Sequence, residues 1–325
     1  MAKGYFREGI ADQWIKVTTM NFDEAEVIAV LAEIFQGHHA GVLVGIGDDG
    51  AVVKTTPQSV ITTDMAVEGT HFNLEWSGAF DIGRKITAAN LADIYAMGAL
   101  PQYLVVAVTL TGTETIEWIS DLAHGIAHEA KSCGAAVVGG DLTRGAIKVI
   151  SITAIGEVEK AITRGGAQVG DSIYLSSLPG WSAAGLAVIE KDGIDDLEAY
   201  AIEEFCAPNV DYSAASALAH SGATSMCDVS DSLITQAGQM AQASGHGFNF
   251  SKESFTTDAE FIALNELANK EGADVWQWIF AGGEDHVFLA TGVDLPGLCV
   301  GVVIEGSGVT GLEMKKAPDT WRHFN

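Results

Sequence analysis

Basic side chains are scarce in this sequence: 17 Lys and Arg face 43 Asp and Glu in 325 residues, a formal net charge of −26. The few cations form no cluster, so a nucleic-acid backbone is repelled at long range and no nucleic-acid partner is expected. A small polyphosphate stays admissible if metal ions shield it. Cysteine is sparse as well. Cys133, Cys206, Cys227 and Cys299 lie far apart with no C-x-x-C pair, so reduced core thiols are expected. No apolar run approaches the length of a membrane span, and residues 1–20 lack the apolar segment of a secretion signal, so a soluble cytoplasmic protein is expected. Catalytic signatures are missing too. There is no G-x-x-x-x-G-K-[ST] loop, no H-R-D with D-F-G, and no nucleophile paired with a base; Gly180-Trp181-Ser182-Ala183-Ala184-Gly185 misses the G-x-S-x-G elbow by one residue.

What is present is a chain long enough for two domains, with strands and helices that mark an α/β protein. Residues 1–20 read as an irregular leader, 21–158 as a first domain and 159–325 as a second, with the polar break from Glu159 to Gly170 as linker. In the first half, helices are expected from Asn21 to Gly37, from Asp81 to Gly98, and after a Thr113 cap to Gly134. Buried strands are expected over Val42 to Gly45, Val60 to Thr63, Tyr103 to Thr111, Ala135 to Val138 and Lys148 to Val158. In the second half, strands are expected at Asp171 to Ser176, Ala223 to Cys227 and Trp276 to Phe280, with helices from Ser182 and through Leu233 to Gly245.

The chain is organised around Gly45-Ile46-Gly47-Asp48-Asp49-Gly50. Adjacent carboxylates repel unless a cation lies between them, and Mg²⁺ with a phosphate would supply one; a solvated turn is the alternative. The stretch also satisfies G-x-G-x-x-G, but that fingerprint needs a following helix, and Ala51 to Thr56 is a β-branched run ended by Pro57. Asp64, Asp141 and Asp228 are each placed, like Asp49, at the carboxyl end of an apolar strand, the edge where open α/β sheets bind ligands. Asp93 falls on the otherwise apolar stripe Ile82, Ile86, Ala89, Met97, where it either takes local hydrogen bonds beside Asn90 or points at a metal. Asp228 and Asp231 flank a helix start, by capping or as a meeting point for phosphate and metal. His124 and His128, four apart without a third ligand, read as a solvated helix face. The chemistry implied is metal-assisted transfer between positioned substrates, as in phosphoryl transfer.

These motifs, together with Thr62-Thr63-Asp64-Met65-Ala66-Val67-Glu68-Gly69-Thr70-His71-Phe72, Ala89-Asn90-Leu91-Ala92-Asp93, Gly139-Gly140-Asp141, Thr163-Arg164, Asp228-Val229-Ser230-Asp231 and Gly282-Gly283-Glu284-Asp285, resemble in order the thiamine-monophosphate kinase family. That family belongs to the superfamily of aminoimidazole ribonucleotide synthetase. The resemblance implies two α/β domains with mixed sheets covered by helices, a homodimer, and Mg²⁺-dependent transfer of the ATP γ-phosphate to thiamine monophosphate. It implies metal ligands at Asp49, Thr62, Thr63, Asp64, Asp93, Asp141, Asp228 and Asp231, with Asp48 in a supporting role. Gly140, Asp141, Arg164 and Ser230 would meet the nucleotide, and His71, Glu284 and Trp321 thiamine monophosphate. Ser232, Gln236, Trp181 and His286 depart from the family's usual residues. Aminoimidazole ribonucleotide synthetase activity and a non-catalytic metal- or nucleotide-binding relative stay open as alternatives.

Overall fold

The computed structural model describes residues 24–35, 39–46, 51–55, 57–191 and 194–314. Helix α1 (Glu24–Ile34) precedes a small antiparallel ribbon of β1 (Val42–Val44) and β2 (Val52–Val53). The chain therefore leaves the glycine-rich turn as a strand, and no helix N-terminus follows it to receive a pyrophosphate. Asp48, Asp49 and Trp321 lie outside the described residues.

Next come β3 (Ser59–Val67), α2 (Ala79–Ala96), β4 (Leu100–Leu110), α3 (Ile116–Ser132), β5 (Ala136–Arg144) and β6 (Val149–Glu157). Their four strands form a mixed sheet in the order β3-β6-β4-β5, with β4 and β5 parallel and the other pairs antiparallel. Alternation decides what each face does. Ile150, Ile152 and Ala154 of β6, with Leu104 of β4, are buried on the side that α2 and α3 cover. The two helices touch at glycines: a Cβ on Gly125 would lie 2.0 Å from the Phe80 carbonyl oxygen, and one on Gly83 would lie 2.3 Å from that of Leu122. The opposite face stays bare, and Ile61 and Met65 on β3 are 67% and 58% exposed there.

The second half contains β7 (Ser172–Leu175), α4 (Trp181–Val188), α5 (Asp196–Cys206), α6 (Tyr212–His220), β8 (Ser225–Asp228), α7 (Leu233–Ser244), β9 (Gly247–Phe250), α8 (Lys252–Phe255), α9 (Ala259–Glu271), α10 (Val275–Ala281), β10 (Phe288–Gly292), β11 (Leu298–Ile304) and β12 (Gly308–Thr310). Six of its strands make a second mixed sheet, β12-β9-β11-β7-β10-β8. Helix α2 also packs on this sheet. Ala92, Tyr95 and Ala96 share one buried cluster with Tyr174, Met226, Phe288 and Ala290 of the second sheet and with Ala215 and Leu218 of α6. The fold is mixed α/β, with mixed sheets covered by helices, as expected.

Several local expectations need correction. Strand β3 does not stop at Thr63: it continues through Asp64, because Met65, Ala66 and Val67 pair with Ser151, Ile150 and Val149. Asp141 lies inside β5, since the parallel ladder to β4 runs on to Arg144 opposite Leu110. Of the strand-end aspartates among the described residues, Asp228 alone ends its strand. Trp276 to Phe280 is helical in α10, where Asp274 accepts from the Trp276 amide; a short apolar run cannot by its periodicity distinguish a buried helix from a strand. Thr115, not Thr113, caps α3. His124 and His128 are both exposed on α3, and all four cysteines are free thiols.

Candidate active site

The site forms where α2, β3 and the end of β8 meet. Thr62 Oγ1 donates to Asp93 Oδ2 at 2.6 Å. Asn90 does not cap Asp93. Its Oδ1 accepts from the Asp64 amide at 3.1 Å and its Nδ2 donates to the Ile86 carbonyl at 2.8 Å, so it ties α2 to β3. Burial, with further pushes from Asp228 and Asp64, lifts the Asp93 carboxyl to about 6 against the Thr62 hydrogen bond and the nearby His286. Three carboxylates thus sense one another across two sheets. Such a group is unfavourable unless a cation joins it.

His286 is the one imidazole in that cluster. Its Nδ1 donates to Asp228 Oδ2 at 2.9 Å. Burial pulls the imidazole down, but Asp228, Glu284 and Asp64 outweigh it and hold it above its ordinary value. In the sequence His286 stands out only as a departure from the family's usual residue. Its partner lies 58 residues away, so the available signal was its position directly after Gly-Gly-Glu-Asp.

Beyond Asp228 the backbone turns through Ser230 and Asp231 into α7. Ser232 caps that helix, its Oγ accepting from the Thr235 amide at 3.2 Å. Gln236 Oε1 accepts from the Ser232 amide at 3.0 Å, and its Nε2 donates to Ser230 Oγ at 3.3 Å. The two departures, Ser232 and Gln236, therefore work as one unit that orients Ser230. Ser232 has φ 177°, extended backbone open to any residue.

The Gly-Gly-Glu-Asp loop lies against this turn. The amide of Glu284 donates to the Ser230 carbonyl at 2.6 Å and that of His286 to the Val229 carbonyl at 3.1 Å. Glu284 and His286 both adopt left-handed backbone, at φ 65° and 51°. Between them the Asp285 carboxylate accepts from the Gly180 and Ser182 amides, each at 2.9 Å, and so secures the start of α4. Burial pushes Asp285 up to about 7 despite those two bonds. The side chain of Glu284 meets Lys85 of α2, with Nζ to Oε2 at 2.8 Å. Arg164 follows Thr163, whose carbonyl accepts from the Met226 amide of β8 at 3.3 Å.

His71 sits in the turn after β3, its Nδ1 accepting from the Val67 amide at 3.1 Å. That turn is anchored from outside: Lys148, itself buried, reaches Glu68 at 3.4 Å and Glu114 at 3.1 Å. Thr63 turns to the bare face, where Oγ1 donates to the Ile152 carbonyl at 3.0 Å. Asp141 is not brought to the others within this chain. It lies on β5, three strands from β3 and about 14 Å away at ordinary strand spacing, with its side chain on the bare face. Gly140 is constrained by sterics, since a Cβ there would sit 2.0 Å from the Val106 carbonyl oxygen of β4.

Among the described residues, no three His, Cys, Asp or Glu side chains close into a ligating cage. Mg²⁺ does not require one. It keeps several waters and commonly takes one or two carboxylates plus substrate phosphates. Asp93, Asp228 and Asp64, with the Thr62 hydroxyl, are hard oxygen donors whose mutual repulsion a divalent ion would relieve, so the residues present fit that ion.

Residues 47–158 match the family model described as AIR synthase related protein, N-terminal domain. The chain is 37% identical to the thiamine-monophosphate kinase of Corynebacterium glutamicum over 283 residues, 84% of this chain and 83% of that one. It is 38% identical to that of Mycobacterium tuberculosis over 267 residues, 81% of this chain and 79% of that one. The chain belongs to the thiamine-monophosphate kinase family. A solved structure described as AaThiL complexed with AMPPCP and TMP superposes with a TM-score of 0.76 at 27% identity, over 93% of this chain and 97% of that one. The family's fold accounts for the pairing of two mixed sheets across α2. No helix among the described residues is long and apolar enough to cross a membrane.

Proposed function

We propose that this protein transfers the γ-phosphate of ATP to the phosphate of thiamine monophosphate, giving thiamine diphosphate and ADP, with Mg²⁺ at the junction of α2, β3 and β8. The observation that carries the reading, alongside family membership, is the gathering of Asp93, Asp228 and Asp64 where α2, β3 and β8 meet, with Asp93 held by Thr62 and Asp228 by His286; burial, with pushes from Asp228 and Asp64, lifts Asp93 to about 6 there. Bound Mg²⁺ would neutralise the phosphate charge that otherwise meets a protein of net charge −26. Asp93, Asp228 and Asp64 would hold it, with Thr62 fixing one Asp93 oxygen and His286 one Asp228 oxygen. Ser230, just past the end of β8, and Arg164, next to the Thr163 that pairs with its edge, would meet the nucleotide. His71 and Glu284 would face thiamine monophosphate. An acceptor phosphate oxygen forms the new bond to the γ-phosphorus while the bond to the bridging oxygen breaks and ADP departs; no side chain needs to form a covalent intermediate. Asp231, Asp49 and Trp321 would keep the roles that the family resemblance gives them, Thr63 would act from the bare face rather than beside Asp64, and the two sheets would form the cores of domains 21–158 and 159–325. Free thiols and the use of ATP fit a cytoplasmic enzyme.

Purified full-length protein with ATP, Mg²⁺ and thiamine monophosphate is expected to form thiamine diphosphate and ADP in equal amounts, and to stop on addition of a chelator. Release of ADP without thiamine diphosphate would overturn the proposal.

The homodimer belongs to the same reading. The bare sheet face carries Ile61 and Met65, and Asp141 opens onto it away from the other carboxylates. A second copy packed there would cover the apolar residues and bring the Gly140-Asp141 pair to a site shared between chains. Replacing Ile61 and Met65 together by Lys is expected to halve the mass seen in sedimentation and to lower turnover; a mass equal to the wild type's in both proteins would argue against this face.

A further inference from the structure

Helix α2 carries a further polar contact, well away from Asp93. Lys85 Nζ donates to Glu284 Oε2 and to the Phe205 carbonyl, each at 2.8 Å, and sits 4.2 Å from the centre of the Phe205 ring. The Lys85 side chain is 12% exposed and that of Glu284 39%. A cation so enclosed depends on its partners, and all three come from the second half of the chain.

Glu284 is constrained from its other end too. Its backbone is left-handed, at φ 65°, and its amide is held on the Ser230 carbonyl. Backbone and Lys85 together leave the carboxylate little freedom of direction. Lys85 occupies Oε2, so Oε1 is the oxygen left to accept from a ligand.

We propose that Lys85 is a positioning residue: it aims the Glu284 carboxylate at the cationic, nitrogen-rich end of thiamine monophosphate while the phosphate lies at the Asp93 end of the same helix. This rests on the function proposed above. Eight residues separate Lys85 from Asp93, about 12 Å of helix axis, so α2 sets the spacing between the group that reads the heterocycle and the groups that handle phosphate. The ion pair also keeps the carboxylate from acting as an unpaired charge. It then recognises its ligand by direction as well as by attraction.

The test is steady-state kinetics of the full chain with both substrates varied. Lys85→Met keeps the apolar stem and removes the charge. Its KM for thiamine monophosphate is expected to rise about tenfold or more, with KM for ATP within about twofold of wild type. Lys85→Arg is expected to recover most of the loss. Glu284→Gln should raise the same KM, and the double variant should be no worse than Glu284→Gln alone, because the two residues act as one unit. If Lys85→Met leaves KM for thiamine monophosphate unchanged in an active enzyme, this inference fails and the function stands. An equal rise in both KM values with a lowered melting temperature would make Lys85 only a clamp between the two halves, and would also overturn it. If the wild type neither turns over nor, by calorimetry, binds thiamine monophosphate, the function itself fails and the inference falls with it. Binding without turnover would still allow the Lys85 variants to be ranked by affinity, with a tenfold weakening in Lys85→Met as the supporting result.

Discussion

Asp93→Asn is expected to lower turnover about a hundred- to a thousandfold, the loss typical of removing one group that stabilises charge in transfer, while making the metal-free protein more stable at neutral pH. The second half of this prediction follows from the direction of the pKa shift. Asp93 is raised from an ordinary 3.8 to about 6 in the folded chain. The folded state therefore holds that proton more tightly than the unfolded state, and its stability falls as pH rises from about 4 through 6. Below that window both states are protonated and nothing is gained or lost. Above it the full penalty persists, on the order of 2 kcal/mol once partial exposure is allowed for. Asparagine keeps an acceptor for the Thr62 hydroxyl and carries no charge. Thermal melts in chelator should show the variant matching the wild type near pH 4 and exceeding it by a few degrees at pH 7.5. Mg²⁺ should then raise the wild-type melting temperature at pH 7.5 more than at pH 5, and raise the variant's little at either. A variant less stable than wild type at pH 7.5 would mean that burial and the neighbouring carboxylates do not penalise the Asp93 charge. A protein that gains stability when its site is disabled is one that keeps the site under electrostatic strain for use.

The parts of this architecture that can be read along the chain are those with a local period. Helices α2 and α3 follow from apolar residues at helical spacing, β4 from a long apolar run, and the acidic end of β8 from the abrupt change after Cys227. Asp93 could be singled out because a carboxylate interrupts an apolar stripe. The extents of β3 and β5 were not readable in that way. Their last residues are held by ladders to β6 and β4, and partners in a sheet leave no mark in the strand itself. For the same reason Asp141 looked like a neighbour of Asp64, when strand order sets it three strands away on the other face. Pairings across long separations were invisible altogether: His286 with Asp228, Lys85 with Glu284, and Asp285 with the amides at the start of α4. Each joins segments whose local patterns are complete without it. The residues stand in legible motifs, but what each one holds is set by the fold.

A large effect at a position with no side chain is expected at Gly283. A Cβ built there would lie 2.4 Å from the Ser230 carbonyl oxygen and 2.5 Å from that of Asp231. Both obstacles are backbone, so neither can rotate away, and the two loops must separate. Gly283→Ala should therefore move Ser230, Asp231 and Glu284 together. A displacement of about 1 Å in positioning groups can cost on the order of a hundredfold in rate, and the forced shift should lower unfolding free energy by about 1 to 3 kcal/mol. Because nucleotide-side and acceptor-side residues move at once, both KM values should rise along with the fall in kcat, unlike the selective effect expected at Lys85. The control is Gly238→Ala on α7, where nothing lies within 4 Å of the new Cβ. There alanine should leave kinetics unchanged and add up to about 1 kcal/mol of stability through helix propensity. Denaturant unfolding and kinetics on both variants would separate close packing of the two loops from a general intolerance of substitution. If Gly283→Ala behaved like Gly238→Ala, the loops would not be in contact as described, and Glu284 would owe its direction to Lys85 alone.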